Sequence, residues 1–183
     1  MIDELLREAE AKMAQAIEHV RGEFGSVRTG RANPSILHRV HVDYYGTPTP
    51  LQQLASVSVP ESQLLVIAPY DRGSLGEIER AIQSSGLGLN PSNDGSVIRL
   101  SFPPLNEERR RELIKVVRHM AEEGRVAIRN IRRHTKSDVE ALVGEVSEDD
   151  VRRGEARLQE ITDGHTSRID ELLEHKEAEL LEV

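Results

Sequence analysis

Over residues 2–27 the apolar positions Ile2, Leu5, Leu6, Ala9, Met13, Ala16, Ile17, Val20, Phe24 and Val27 recur at steps of three and four. That spacing places side chains on one face of a helix, which Gly30 and Pro34 then stop. The period changes after this. Val40, Val42 and Tyr44 alternate with His41 and Asp43, Val57 and Val59 alternate with serines, and residues 64–67 form a short apolar run, so three strands are expected. Gly46-Thr47-Pro48, Pro60-Glu61 and Asp71-Arg72-Gly73 read as turns between them. A short helix over 74–85 carries Leu75, Ile78, Ala81 and Ile82 on one face, with Gly86 as its stop. Residues 90–95 read as a turn, and Val97, Ile98 and Leu100 as a last strand.

Pro103-Pro104 interrupts the chain and Asn106 can cap a new helix, whose pattern runs over 107–143. Gly144 and Ser147 break it, and a third helix runs over 148–181 through Val151, Leu158, Ile161, Ile169, Leu172, Leu173 and Leu180. Helices this long and this charged are unstable alone in water, so they should pack with the first as an antiparallel three-helix bundle. The expected fold class is α+β. Residues 1–30 and 105–183 form the bundle, and residues 31–104 form an inserted β/α/β domain attached by two strands of chain. A hinge is expected at 30–34 and 102–105, with Gly30, Arg31, Pro34, Pro103 and Pro104, in an elongated, L-shaped molecule.

Charge changes this picture. The chain carries a net −8, yet residues 105–137 hold ten Lys/Arg against five Asp/Glu, while residues 147–183 hold five against twelve. Arg111, Lys115, Arg118, Arg125, Arg129, Arg132 and Lys136 fall within roughly a 100° sector of the second long helix, at about 100° per residue. Leu113, Val117, Met120, Ala127, Ile128 and Ile131 lie on another face, available for packing. Two readings of the stripe stay open on the pattern alone. It is either a solvated face laced with ion pairs, as in a coiled-coil adapter, or a ridge that meets a polyanion. Between Arg111 and Lys136, Glu122 is the one acid inside the sector. Arg28 and Arg31 bracket Gly30 and are further candidates for an anion contact, while the acidic third helix is expected to face water.

The remaining composition narrows the chemistry. There is no Trp, and Phe and Tyr together number five, so base stacking on aromatic platforms is not the expected mode; phosphate or folded RNA suits the chain better. Without cysteine there are no disulfides or thiolate metal sites. The acidic N-terminus is not a signal peptide and no 18-residue apolar segment exists, so a cytoplasmic protein without membrane contact is expected. No phosphate-loop, H-E-x-x-H or G-x-S-x-G pattern occurs, and His38 and His41, three apart on a strand, should point to opposite faces. Gly86-Leu87-Gly88 reads as a helix cap, and Tyr44-Tyr45 as hairpin packing or a partner contact. No metal, cofactor or catalytic residue is expected.

Arg28-Thr29-Gly30-Arg31-Ala32-Asn33-Pro34, Tyr44-Tyr45-Gly46-Thr47-Pro48, Leu87-Gly88-Leu89-Asn90-Pro91, Glu107-Glu108-Arg109-Arg110-Arg111 and Arg129-Asn130-Ile131-Arg132-Arg133 occur in that order. Together with Asp170-Glu171-Leu172-Leu173 near the end, they closely resemble the ribosome recycling factor family. The resemblance implies a three-helix bundle with an inserted domain, in a transfer-RNA-like outline. It implies a non-enzymatic, monomeric factor that binds the post-termination 70S ribosome. With elongation factor G, which hydrolyses the GTP, such a factor splits the subunits so that messenger and deacylated transfer RNA leave. By the same resemblance Arg110, Arg129, Arg132 and Arg133 would contact 23S ribosomal RNA of the large subunit, and the inserted domain would be the surface that elongation factor G pushes. His134 stands where many members carry an acid and Asn106 where many carry threonine; the chain lacks the Gly-Gly-Gln of a peptide-release factor.

Overall fold

A computed structural model describes residues 1–182. The helical unit contains α1 (Ile2–Ser26), α4 (Glu107–Glu140) and α5 (Glu148–Leu181), and all three pairs are in contact. At 1.5 Å per residue, the two 34-residue helices are each about 50 Å long. Both starts are capped as helix physics requires: the Asn106 side chain accepts from Arg109 N at 2.7 Å, and Ser147 Oγ accepts from Asp150 N at 3.1 Å. Acids fill both first turns, where the helix dipole favours them.

Side-chain neighbours fix the helix directions. Ile2 of α1 and Val139 of α4 both lie beside Gly154 of α5 and Asp3 pairs with Arg157, while Val20 of α1 and Ile169 of α5 meet at Gly124 of α4. Hence α1 and α5 run parallel, and α4 runs antiparallel to both. Leu6, Met13, Ile128 and Leu158 are among the fully buried side chains at the centre, each contributing roughly 1.5–3 kcal/mol by leaving water.

The second unit is Gly30–Leu105. It opens on a 3-10 helix, Pro34–Arg39, and then holds a hairpin of β1 (His41–Tyr44) and β2 (Thr47–Pro50) and a one-turn helix α2 (Leu51–Leu54). β3 (Ala55–Glu61) and β4 (Leu64–Pro69) follow, then α3 (Leu75–Ser84), β5 (Pro91–Asn93) and β6 (Ile98–Ser101). The four later strands form one antiparallel sheet in the order β3-β4-β6-β5. Leu65, Ile67, Ile98 and Leu100 of the central strands, Ile78 and Ile82 of α3, and Leu37, Val42 and Leu51 make its core.

Several local expectations are corrected. His38 lies in the 3-10 helix, not on a strand with His41, because Asn33 caps that helix by accepting from Ser35 N and Pro34 supplies a helical first residue. Thr47-Pro48 belongs to β2, with the turn at Tyr45-Gly46; Pro60-Glu61 ends β3, with the turn at Ser62-Gln63. Pro91–Asn93 is a strand inside the stretch expected to be a turn. The last strand begins at Ile98, not Val97, and α4 ends at Glu140, three residues short of 143.

Candidate nucleic-acid interface

The stripe on α4 is shared between its neighbour α5 and the outside. Arg118 engages the Glu177 carboxylate through both Nε and Nη2. One helical repeat on, Arg125 donates to Asp170 Oδ1 from Nε at 3.0 Å and Nη2 at 2.6 Å, and to Glu122 from Nη1 at 3.2 Å. A further repeat on, Arg132 Nε donates to the neutral Oε1 of Gln159 at 2.7 Å, and Arg132 makes no ion pair among the described residues. Seven-residue steps keep one edge of α4 facing α5, which explains this ladder. The acidic face of α5 is therefore not turned only to water, as the sequence suggested; part of it neutralises α4.

The two ends of the stripe differ in charge. At the N-terminal end a shallow trough is lined by Asn106, Glu107, Glu108, Arg111, Glu112 and Lys115, three acids against two cations, with Arg111 paired to Glu107. At the C-terminal end another is lined by Val126, Arg129, Asn130, Arg132, Arg133, Lys136, Ser137 and Glu140, four cations against one acid. Lys136 reaches Glu140 at 3.4 Å, Arg133 donates to Asn130 Oδ1 at 3.2 Å, and Arg129 pairs with Glu122 at 2.8 Å. Hydrogen bonds from Arg129 and then Arg125 hold the Glu122 carboxyl below its ordinary value, so it stays charged and offsets part of their field. The positive potential is thus concentrated in the last third of α4.

The family model described as ribosome recycling factor matches residues 20–181. The chain belongs to the ribosome recycling factor family. It is 60% identical to the ribosome-recycling factor of Acidothermus cellulolyticus over the full length of both chains, and 57% identical to that of Rubrobacter xylanophilus over 97% of each. A solution structure of the ribosome recycling factor matches it with a TM-score of 0.84 and 41% identity, covering 100% of this chain and 98% of the other. The T. thermophilus ribosome recycling factor, in a structure with the E. coli elongation factor G bound to the E. coli post-termination complex, matches with a TM-score of 0.67 and 44% identity, over all of both chains. Ribosome recycling factors are non-enzymatic translation factors, and the expected fold class, a long three-helix bundle with a small inserted domain, is the one this member has.

Within this member of the family the candidate residues do not form one site. Arg129, Arg132, Arg133 and Lys136 share the C-terminal trough, whereas Arg118 and Arg125 are held by α5 and Arg111 by its own helix. Lys115 is exposed and Arg110 half-buried near the start of α4. Arg28 and Arg31 are exposed, the first on the helical unit and the second on the inserted one. Among the hinge candidates, Gly30 has φ 75°, and a Cβ there would sit 3.2 Å from Leu105 N and 3.5 Å from Pro103 O. Ala32 N donates to Ser62 O at 2.7 Å and Phe102 N to Gln63 O at 2.8 Å, so both connections are tied to the β3–β4 turn. Among the described residues no group of three or more His, Cys, Asp or Glu is placed to hold a metal, and no helix is long and apolar enough to cross a membrane.

Gln159, Asp170 and Glu177 were missed as parts of the site. The seven-residue spacing of Arg118, Arg125 and Arg132, matched in reverse by Glu177 and Asp170, was the available signal.

Proposed function

We propose that this chain binds the post-termination 70S ribosome and, together with elongation factor G, drives the subunits apart so that messenger and deacylated transfer RNA are released. The observation that supports the anchoring half of this reading is the C-terminal trough of α4, where Arg129, Arg132, Arg133 and Lys136 lie together against one lining acid. Phosphates of 23S ribosomal RNA are the ligands that such a surface attracts, and arginine forks suit their oxygens. Neutralising about four phosphates gives a log-affinity that falls against log salt with a slope of about −3 to −4. Arg118 and Arg125 contribute less, because α5 already compensates them.

The inserted unit is the surface offered to elongation factor G. The proline-bearing connections tied to the β3–β4 turn carry force into that unit as one body, and rotation is left to the joints at 29–30 and 105–106. The protein needs no cofactor of its own, since the nucleotide is hydrolysed by elongation factor G, and it works as a monomer in the cytoplasm.

Light scattering of post-termination ribosomes mixed with this protein, elongation factor G and GTP tests the reading, with each component omitted in turn. Splitting only in the complete mixture is expected. Binding without splitting, with a matched elongation factor, would leave an RNA-binding adapter in its place.

A further inference from the structure

We infer that Gln159 of α5 is a positioning residue for the anion site: it holds Arg132 in place without neutralising it, and so decides which end of the α4 stripe can meet phosphate. This rests on the reading of the C-terminal trough as the anion site.

The argument starts from the ladder. Arg118, Arg125 and Arg132 present the same edge of α4 to α5, and the first two meet carboxylates, Glu177 and Asp170. Continuing the same seven-residue step along α5 leads to Asp163. Arg132 is not paired with it. Gln159 stands between them, accepting from Arg132 Nε through Oε1 at 2.7 Å and donating from Nε2 to Asp163 Oδ1 at 2.7 Å.

Chemistry settles which way that amide points. The reverse orientation would set an NH2 group against a guanidinium and a carbonyl oxygen against a carboxylate, losing both hydrogen bonds. With the amide fixed, Arg132 has one N–H satisfied by a neutral acceptor, and its remaining donors and its whole charge stay available beside Arg129, Arg133 and Lys136. A glutamate at this position would keep the contact to Arg132 and add a negative charge to it, while giving up the hydrogen bond to Asp163. The third rung would then resemble the first two, and one of the trough's four cations would be compensated.

Binding of the full chain to purified large ribosomal subunits across a salt series, alongside thermal unfolding, separates the possibilities. Gln159→Glu trades the Asp163 hydrogen bond for an ion pair to Arg132 and should fold with a Tm within about 5 °C of the parent's, yet bind on the order of fivefold more weakly, with a salt slope shallower by about 1. The opposite exchange, Asp170→Gln with Glu177→Gln, should extend the free cationic face and steepen the slope by about 1 to 2. Affinity and salt slope fall together under Gln159→Glu while the fold is retained, which a merely structural role does not produce. Parental affinity and slope in Gln159→Glu, while Arg129→Ala and Arg133→Ala weaken binding, would overturn the role of Gln159 and leave the trough intact. Parental affinity in the two arginine variants as well would overturn the anion site itself.

Discussion

A methyl group at Gly124 would lie 2.5 Å from Val20 Cγ2 and 3.1 Å from Ile169 Cδ1, and one at Gly154 would lie 2.8 Å from Ile2 Cγ2. Both glycines are buried inside long helices, where the residue ordinarily weakens the helix by about 1 kcal/mol relative to Ala. They are retained in spite of that cost because three helices converge on them. Gly164, also in α5, has nothing within 4 Å of a would-be Cβ. The two kinds of glycine look alike in the sequence and should respond with opposite signs: Gly124→Ala should lower stability by about 1–3 kcal/mol through overpacking, and Gly164→Ala should raise it by up to about 1 kcal/mol. Denaturant unfolding of the two variants checks the pair. Residue spacing revealed which face of each helix is apolar, but the atom standing over Gly124 comes from positions 20 and 169, and no local pattern carries that information.

Elements were legible in proportion to their length. The 34-residue helices repeat their pattern many times and carry their own start signals, so α5 has the bounds its periodicity predicts and α4 begins where Asn106 indicates. Removing that cap by Asn106→Ala should cost about 1 kcal/mol and raise hydrogen-exchange rates in the first turn of α4 while leaving α5 protected. The inserted unit is harder to read because proline ordinarily ends a strand or marks a turn. Pro48 and Pro50 lie in β2 of a two-stranded hairpin, Pro60 lies in β3 and Pro91 in β5, the two outer strands of the sheet. Each is therefore on an edge, where a strand has one unpaired side and the missing N–H need cost no ladder bond. The ionic stripe likewise needs its neighbouring helix to be read. Periodicity placed all seven cations on one sector of α4, but only the pairing of α4 with α5 shows that two of them face carboxylates and one faces an amide.

At the scale of the whole chain, a unit of continuous sequence, Gly30–Leu105, is set into a unit assembled from both ends. That nesting fixes an order of events during synthesis. By the time Leu105 has left the ribosomal tunnel the inserted unit has every residue it needs, whereas Leu6, Met13, Ile17, Val20 and Phe24 on α1 still await α4 and α5, which supply the other walls of their core. A chain stopped after Leu105 should accordingly show dispersed amide resonances for the inserted unit and random-coil shifts for residues 2–26; native-like protection of α1 in that fragment would contradict it. At roughly 5–20 residues per second, the last helix arrives several seconds after the inserted unit is complete. For that interval the leading end of the nascent chain keeps the apolar positions of the future α1 uncovered and unfolded, which is the stretch of synthesis that offers a chaperone a segment to hold.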